Sequence, residues 1–313
     1  VSKSLTILVV ILIALFAVYY LVSKSEKAEF RGKKIENFVG LDSSAVNQIT
    51  ITTRDSTVSF KKSGGEWMVE QYGKFRPVEP GVANEIVRLA SDLSVGPIVS
   101  SNPDKQALYQ VDSTAGRLIT FSRDGARQGE LIVGKSGADF QSSYVRLPGS
   151  DDVYLASHNI TRLVQRPVDQ FRDKAVIKLD PGQIKGIKVS SHDYNFTAAS
   201  GDSLWELTTK GGKSATIPQQ QMQSWLAQIA NLRVNSFLSP DSAASIDFSK
   251  PTAEVEISVS GSNPVTIQLL KAGKEASDYF LKTSLSDELY SVREWVYKGL
   301  IKDPKTLGLK DAA

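Results

Sequence analysis

The residues Gly129-Glu130-Leu131-Ile132-Val133-Gly134-Lys135-Ser136 fit the phosphate-loop pattern G-x-x-x-x-G-K-[ST] letter for letter. That chemistry needs a flexible turn whose backbone N–H groups converge on phosphates, followed by a helix that starts at the ligand. Here Glu130–Val133 reads as a strand, and Gly137–Gln141 reads as a loop into another strand. The context refutes nucleotide binding. The two histidines, His158 and His192, fall at a strand end and in the turn Ser190–Tyr194. With no cysteine and no helical pair of histidines, no zinc site is expected. Asp151 and Asp152 belong to a Gly-Ser-Asp-Asp turn, where aspartate bonds the local backbone. A Gly-x-Ser-x-Gly hydrolase elbow is not found, and spacing alone identifies no acid/base pair for glycoside cleavage. Asn159-Ile160-Thr161 and Asn195-Phe196-Thr197 are glycosylation sequons, relevant only in a eukaryotic secretory pathway. No catalytic, cofactor-binding or metal-ligating residue is assigned, and the chain reads as a non-enzyme. One charged cluster is kept, Asp169-Gln170-Phe171-Arg172-Asp173-Lys174. It reads as an ion-paired hinge anchored by its phenylalanine, or as a contact surface for a partner, through Phe171, Arg172, Asp173 and Lys174.

The elements that would position any site begin with Leu5–Val22, an apolar run without a charge. It is longer than the core of a cleaved signal peptide, and Ser23-Lys24-Ser25 is a poor cleavage site. A buried helix would show a polar face, and none is visible. The run reads as a transmembrane signal anchor over residues 1–23, with a juxtamembrane connector over 24–40. Tyr19 and Tyr20 fall where aromatic rings favour the membrane interface. Small residues at Ala14 and Ala17 offer a face for packing against neighbouring membrane helices. The basic flank Lys24–Lys34, counted alone, would keep the large domain in the cytoplasm. It also suits contact with anionic lipid headgroups. A net charge of +3, with basic and acidic residues interspersed, gives no clustered basic face, and nucleic-acid binding is not expected.

The remainder repeats itself. Leu41-Asp42 is echoed by Leu179-Asp180, Ile49-Thr50-Ile51 by Ile187-Lys188-Val189, and Trp67 by Trp205, all with one separation. The two tryptophans read as core anchors beneath repeated sheets. A helix beginning at Pro80, with Val82, Ile86, Leu89, Ala90 and Leu93 at helical spacing, has its counterpart in Pro218–Leu232. Gly96–Asp112 reads as a looser segment. The expected fold is α+β: an N-terminal transmembrane helix followed by two tandem repeats, over 41–174 and 175–313, each an antiparallel sheet with a covering helix.

The series that runs through Gly134-Lys135, Tyr144-Val145-Arg146, Val153-Tyr154 and Phe171-Arg172-Asp173-Lys174, behind an N-terminal anchor, resembles the bacterial domain of unknown function 4340 family. The resemblance covers most of Leu41–Asp303. The second copy departs from it at Ile301-Lys302-Asp303. It implies a single-pass protein of the bacterial inner membrane, with its large domain outside. It further implies an accessory or scaffold role beside ABC-type permease subunits of the gliding-motility kind, without a cofactor. Oligomeric state stays open. Two other readings stand: a binding module for envelope glycan or lipid, with a groove from Tyr72, Phe75, Tyr144 or Tyr154, and an extracytoplasmic hydrolase.

Overall fold

Alternating burial along short strands, rather than helical periodicity, dominates the computed structural model. It describes residues 12, 15, 16, 34–201, 204–273 and 275–309. Strands β1 (Gln48–Thr52), β2 (Thr57–Ser63), β3 (Glu66–Gln71), β4 (Lys74–Pro77), β5 (Val95–Ser100), β6 (Arg117–Arg123), β7 (Ala126–Ser136), β8 (Ser143–Arg146) and β9 (Val153–Ala156) form one sheet. Its order is β4-β3-β2-β1-β6-β7-β8-β9-β5. Strands β10 (Ile184–Ser191), β11 (Asn195–Ser200), β12 (Trp205–Thr209), β13 (Ser214–Ile217), β14 (Ser236–Phe237), β15 (Ala253–Val259), β16 (Val265–Lys271), β17 (Asp278–Thr283) and β18 (Ser286–Arg293) form the other. Its order is β13-β12-β11-β10-β15-β16-β17-β18-β14, the same path strand for strand. Every pairing within the two sheets is antiparallel.

The described helices are few: α1 (Val82–Ser91), α2 (Gln106–Tyr109), α3 (Thr161–Val164), α4 (Gln219–Ala230), α5 (Pro240–Ala244) and α6 (Glu294–Leu300), with short 3₁₀ turns between elements. The α+β balance expected from the sequence therefore becomes a mostly β architecture of two nine-stranded sheets. Part of the reason is that segments without clean alternation are strands. Gly96–Asp112, read as loose, holds all of β5 but its first residue, and the strand tolerates Pro97 because it is an edge strand with an irregular register. Strand β4 follows β3 through Tyr72 (φ 51°) and Gly73 (φ 71°). Two successive positive φ values make the tight turn that matches strand twist, but tyrosine is not its usual residue.

The chain divides between Arg172 and Asp173 into two compact units. In the first, α1 packs Ala83, Ile86, Val87, Leu89 and Ala90 into a core that includes Ile49, Phe60 and Phe121. Residues 34–40, read as connector, are part of this unit. Ile35 pairs with Val95 of β5, and the Phe38 ring meets Tyr154 edge-on at 4.9 Å. In the second, α4 packs Met222, Trp225, Leu226, Ile229 and Ala230 into a core with Ile187, Val189 and Ile257. The repeated Leu-Asp pairs do the same job in both units. Asp42 Oδ1 accepts from the Ser44 N–H and Asp180 Oδ1 from the Gly182 N–H, both at 2.9 Å, each capping a 3₁₀ turn before the first strand.

The two echoed tryptophans differ. Trp67 is buried and donates through Nε1 to Asn84 Oδ1 at 2.8 Å, whereas Trp205 is only half-buried. The fully buried tryptophan of the second unit is Trp225, whose Nε1 donates to the Leu300 carbonyl at 3.1 Å. Among the described residues, no helix is long and apolar enough to cross a membrane. Leu5–Val22 lies outside the described residues except for Leu12, Leu15 and Phe16, which are helical and exposed.

Truncating Trp225 to alanine removes a fully buried indole and leaves the Leu300 carbonyl without this donor. The expected cost is about 3–5 kcal/mol. Hydrogen–deuterium exchange should show the loss as faster exchange in β10–β18; unchanged protection there would refute Trp225 as the centre of that core.

Candidate functional site

The phosphate-loop look-alike lies entirely within β7. Its second glycine has a packing reason: a Cβ on Gly134 would come within 2.2 Å of the Tyr109 carbonyl oxygen and 2.7 Å of a Val111 methyl. The two residues after it are also engaged. Lys135 Nζ lies 5.7 Å from the centre of the Tyr144 ring, and Ser136 Oγ donates to Asn159 Oδ1 at 3.2 Å. Thr161, at the start of α3, donates to the Gly134 carbonyl at 2.9 Å and shares a 2.7 Å hydrogen bond with Ser143 Oγ. The motif is a strand held by a buried hydroxyl network.

His192 is exposed, with Nδ1 2.9 Å from Asp193 Oδ1, and His158 is half-buried. Among the described residues, no cluster of three metal-ligating side chains occurs. Ala14 and Ala17 lie outside the described residues. The segment Phe171–Lys174 is built into the fold. Phe171 is fully buried, edge-on to Phe60 at 5.0 Å, and its carbonyl accepts from the Glu79 N–H at 2.8 Å. Arg172 is 4% exposed, pairs with Val78 in a single bridge, and donates through Nη1 to Gln71 Oε1 at 2.9 Å. Gln71 in turn donates through Nε2 to Asp169 Oδ1. In the second unit, the Asp173 carboxylate is 5% exposed, bonded to Lys178 at 2.6 Å and 3.7 Å from Arg233. The Lys174 carbonyl accepts from the Val234 N–H at 2.9 Å. Phe171, Arg172 and the Asp173 carboxylate are thus buried in the fold, and Lys174 is partly exposed.

The four aromatics considered for a groove do not converge. Tyr72 stands at the β3–β4 turn near one end of the sheet order, and Phe75 lies under Lys61 Nζ at 3.7 Å. Tyr144 and Tyr154 belong to strands at the other end. Register pairs Val145 with Tyr154, so Tyr144 and Tyr154 project to opposite faces.

A different feature has the form of a binding site. In the second unit, a cleft of about 400 Å³ opens where the C-terminal end of α4 meets α6. Gly299 faces α4 there: a Cβ on it would lie 3.0 Å from Gln228 Oε1, the end of an exposed side chain. Buried Leu232, Val296 and Leu300 give the cleft an apolar wall, and Trp295, 67% exposed, joins the lining. The spacing within α6 explains this division. Val296 and Leu300 lie one turn apart and face the core, while Trp295 and Lys298 follow the outer side, and Lys302 joins the lining from the segment just past the helix end at Leu300. Arg233 is the third cation of the lining, and the lining holds no carboxylate. Arg233 and Lys298 are compensated from outside it, Arg233 by Asp173 and Lys298 by Glu294 at 3.0 Å. Lys302 has neither a hydrogen bond nor an ion pair among the described residues, and burial holds its ammonium below the usual lysine value. A second, more polar cleft of about 390 Å³, lined in part by Gln220, Gln221, Ser224 and Thr306, also borders Lys302. The short stretch from Trp295 to Lys302 is readable in sequence; the approach of Gln228 on α4 and of Arg233 just after it is not.

Fold and cleft together define a duplicated, mostly β protein with a cationic, apolar cleft in its second unit. Residues 76–251, more than half of the chain, match the family described as Domain of unknown function (DUF4340), and the chain belongs to that family. The match runs from β4 past α5 and so spans the division between the units. The chain has no match among curated proteins or solved structures.

Two outcomes follow. Gly134→Ala forces backbone apart at β7 and is expected to cost about 1–3 kcal/mol in urea unfolding; a neutral effect would show that the Tyr109 segment yields freely. For Lys302, the folded-state pKa lies below the unfolded one, so between them the unfolded chain binds more protons and stability rises with pH. Lys302→Met should therefore match or exceed wild type in Tm at neutral pH and lack the wild-type gain at alkaline pH. A lower neutral-pH Tm would mean that the ammonium is held by a favourable contact.

Proposed function

We propose that this chain is a non-enzymatic, single-pass accessory or scaffold subunit of an ABC-type transport complex in the bacterial inner membrane, with its duplicated domain outside. In full, the architecture is an N-terminal transmembrane helix followed by two sheets, each covered on one face by its long helix, α1 or α4. One observation carries the membrane part: Leu12, Leu15 and Phe16 belong to an uncharged apolar run and are helical and exposed. Such a surface is stable against lipid or against other apolar helices. The permease is the partner that the family resemblance suggests, and Ala14 and Ala17 supply close-packing positions on the same run. A scaffold role also accords with the second unit, where the prominent surface feature is a cleft suited to holding a partner.

The alternative, a stand-alone module for envelope glycan or lipid, draws on the exposed Trp295 in that cleft. Affinity purification of the tagged full chain from native membranes in mild detergent, followed by mass spectrometry, separates the two. The scaffold reading expects a permease and its ATPase in stoichiometric amounts. Recovery of the chain alone, under conditions that preserve other membrane complexes, would overturn it in favour of the module.

A further inference from the structure

The cleft between α4 and α6 carries more information than its shape. Its apolar wall and the exposed indole of Trp295 favour a large apolar group. Its charge is one-sided, with Arg233, Lys298 and Lys302 lining it and no carboxylate among them. Two of these cations are already matched by Asp173 and Glu294, which leaves Lys302 as the charge a ligand would neutralise. An ammonium partly withdrawn from water and given no counter-ion costs stability in the empty protein, and a carboxylate brought to it recovers that cost through a charge-assisted hydrogen bond.

The remaining lining tells peptide from lipid. Gln228 and Asn231 expose side-chain amides at the apolar cleft, and neither is hydrogen-bonded through its side chain to another described residue. An amide carries donors and acceptors side by side, which suits a peptide backbone, whereas an acyl chain would leave both unmatched. Beyond Lys302, the adjoining cleft continues with Gln220, Gln221 and Ser224, a polar path that a chain of amides can follow.

We propose that this cleft takes a peptide segment of a partner protein bearing a large apolar side chain next to a carboxylate, the apolar group against Trp295 and the carboxylate at Lys302. The inference rests on the scaffold reading and names the chemistry by which the second unit holds its partner.

The test uses the full chain in detergent, labelled with 5-fluorotryptophan, with the Trp295 resonance assigned from its loss in Trp295→Phe. The probe is acetyl-Ser-Phe-Asp-Ser-amide. Its controls replace the aspartate by asparagine or the phenylalanine by glycine. Saturable movement of the Trp295 resonance by the probe is expected. Affinity should fall about tenfold with the asparagine control and by a similar factor for Lys302→Met, as loss of one charge-assisted contact implies. The glycine control should not bind. Lys302→Met folds if its Tm matches wild type, so its loss of binding reports the contact. A response equal for all three peptides, or equal in Lys302→Met, overturns the proposal. So does movement of the resonance by phosphatidylglycerol vesicles but not by the probe, which would make the cleft a lipid site. Concentration-dependent movement without any probe would make it a contact between copies of this chain, and also overturns it. Co-purification is read separately. If the permease is recovered with wild type and with Lys302→Met alike while the probe fails, only the cleft inference is lost. If the probe binds but no permease is recovered, only the accessory role is lost.

Discussion

Each unit depends on one long-range pairing, β1 with β6 in the first and β10 with β15 in the second. Ile49 opposes Phe121 and Ile51 opposes Ile119; their counterparts are Ile187 opposite Ile257 and Val189 opposite Val255. All eight side chains are buried. The pairing joins strands separated in sequence by three further sheet strands, a long helix and an edge strand, so closing that excursion costs chain entropy before any contact is gained. The apolar seam offsets the cost, and the remaining strands extend the sheet outward from it on both sides. The Leu-Asp caps just before β1 and β10 fix where the first strand of the seam begins.

The duplicated plan leaves room for divergence away from the seam. In the first unit, the short helix after the sheet is α3, four residues in length, and Thr161 at its start is tied to β7 and β8 through Gly134 and Ser143. In the second unit, α6 occupies the corresponding place after the last long strand, runs seven residues, and lies against α4. In the second unit the longer helix has Gly299 beside Gln228 of α4, and its Trp295 is exposed at the cleft. The departure of Ile301-Lys302-Asp303 from the Phe171-Arg172-Asp173-Lys174 pattern falls in the same place. A buried guanidinium bonded to Gln71 ends the first unit's series, whereas the second has a partly exposed lysine with no hydrogen bond or ion pair among the described residues.

Much of the strand pattern was legible because half-buried strands alternate, and the repeat was legible because Ile49/Ile187 and Leu41-Asp42/Leu179-Asp180 serve the same backbone roles twice. Strand β5 was hidden by Pro97, which marks a break unless the strand is known to be an edge. Strand β4 was hidden by a turn that uses Tyr72 where asparagine would have announced it. The tryptophan echo misled because equal spacing does not ensure equal depth: the buried anchor of the second unit lies on α4 rather than on β12. Phe171 is buried, and the partners of Arg172 and Asp173 beside it, Gln71 and Arg233, are distant in sequence, so their burial is not readable from the local segment. The cleft is not legible locally for the same reason: its lining comes from α4 and the residues after it on one side and from residues 295–302 on the other.

The attachment of residues 34–40 to the first unit has a mechanical meaning. The Ile35 N–H donates to the Val95 carbonyl at 3.0 Å, the Val95 N–H returns a bond at 2.9 Å, and the Phe38 N–H donates to the Leu93 carbonyl at 2.8 Å. A pull applied at residue 34 thus meets the first unit at β5, an edge strand, through this short ladder. When the pull points away from that edge, the bonds load one after another, as in peeling, and yield at lower force than a strand sheared along its length. Under such a pull the first unit would release these few residues before its seam bears load, and the β1–β6 pairing would stay closed.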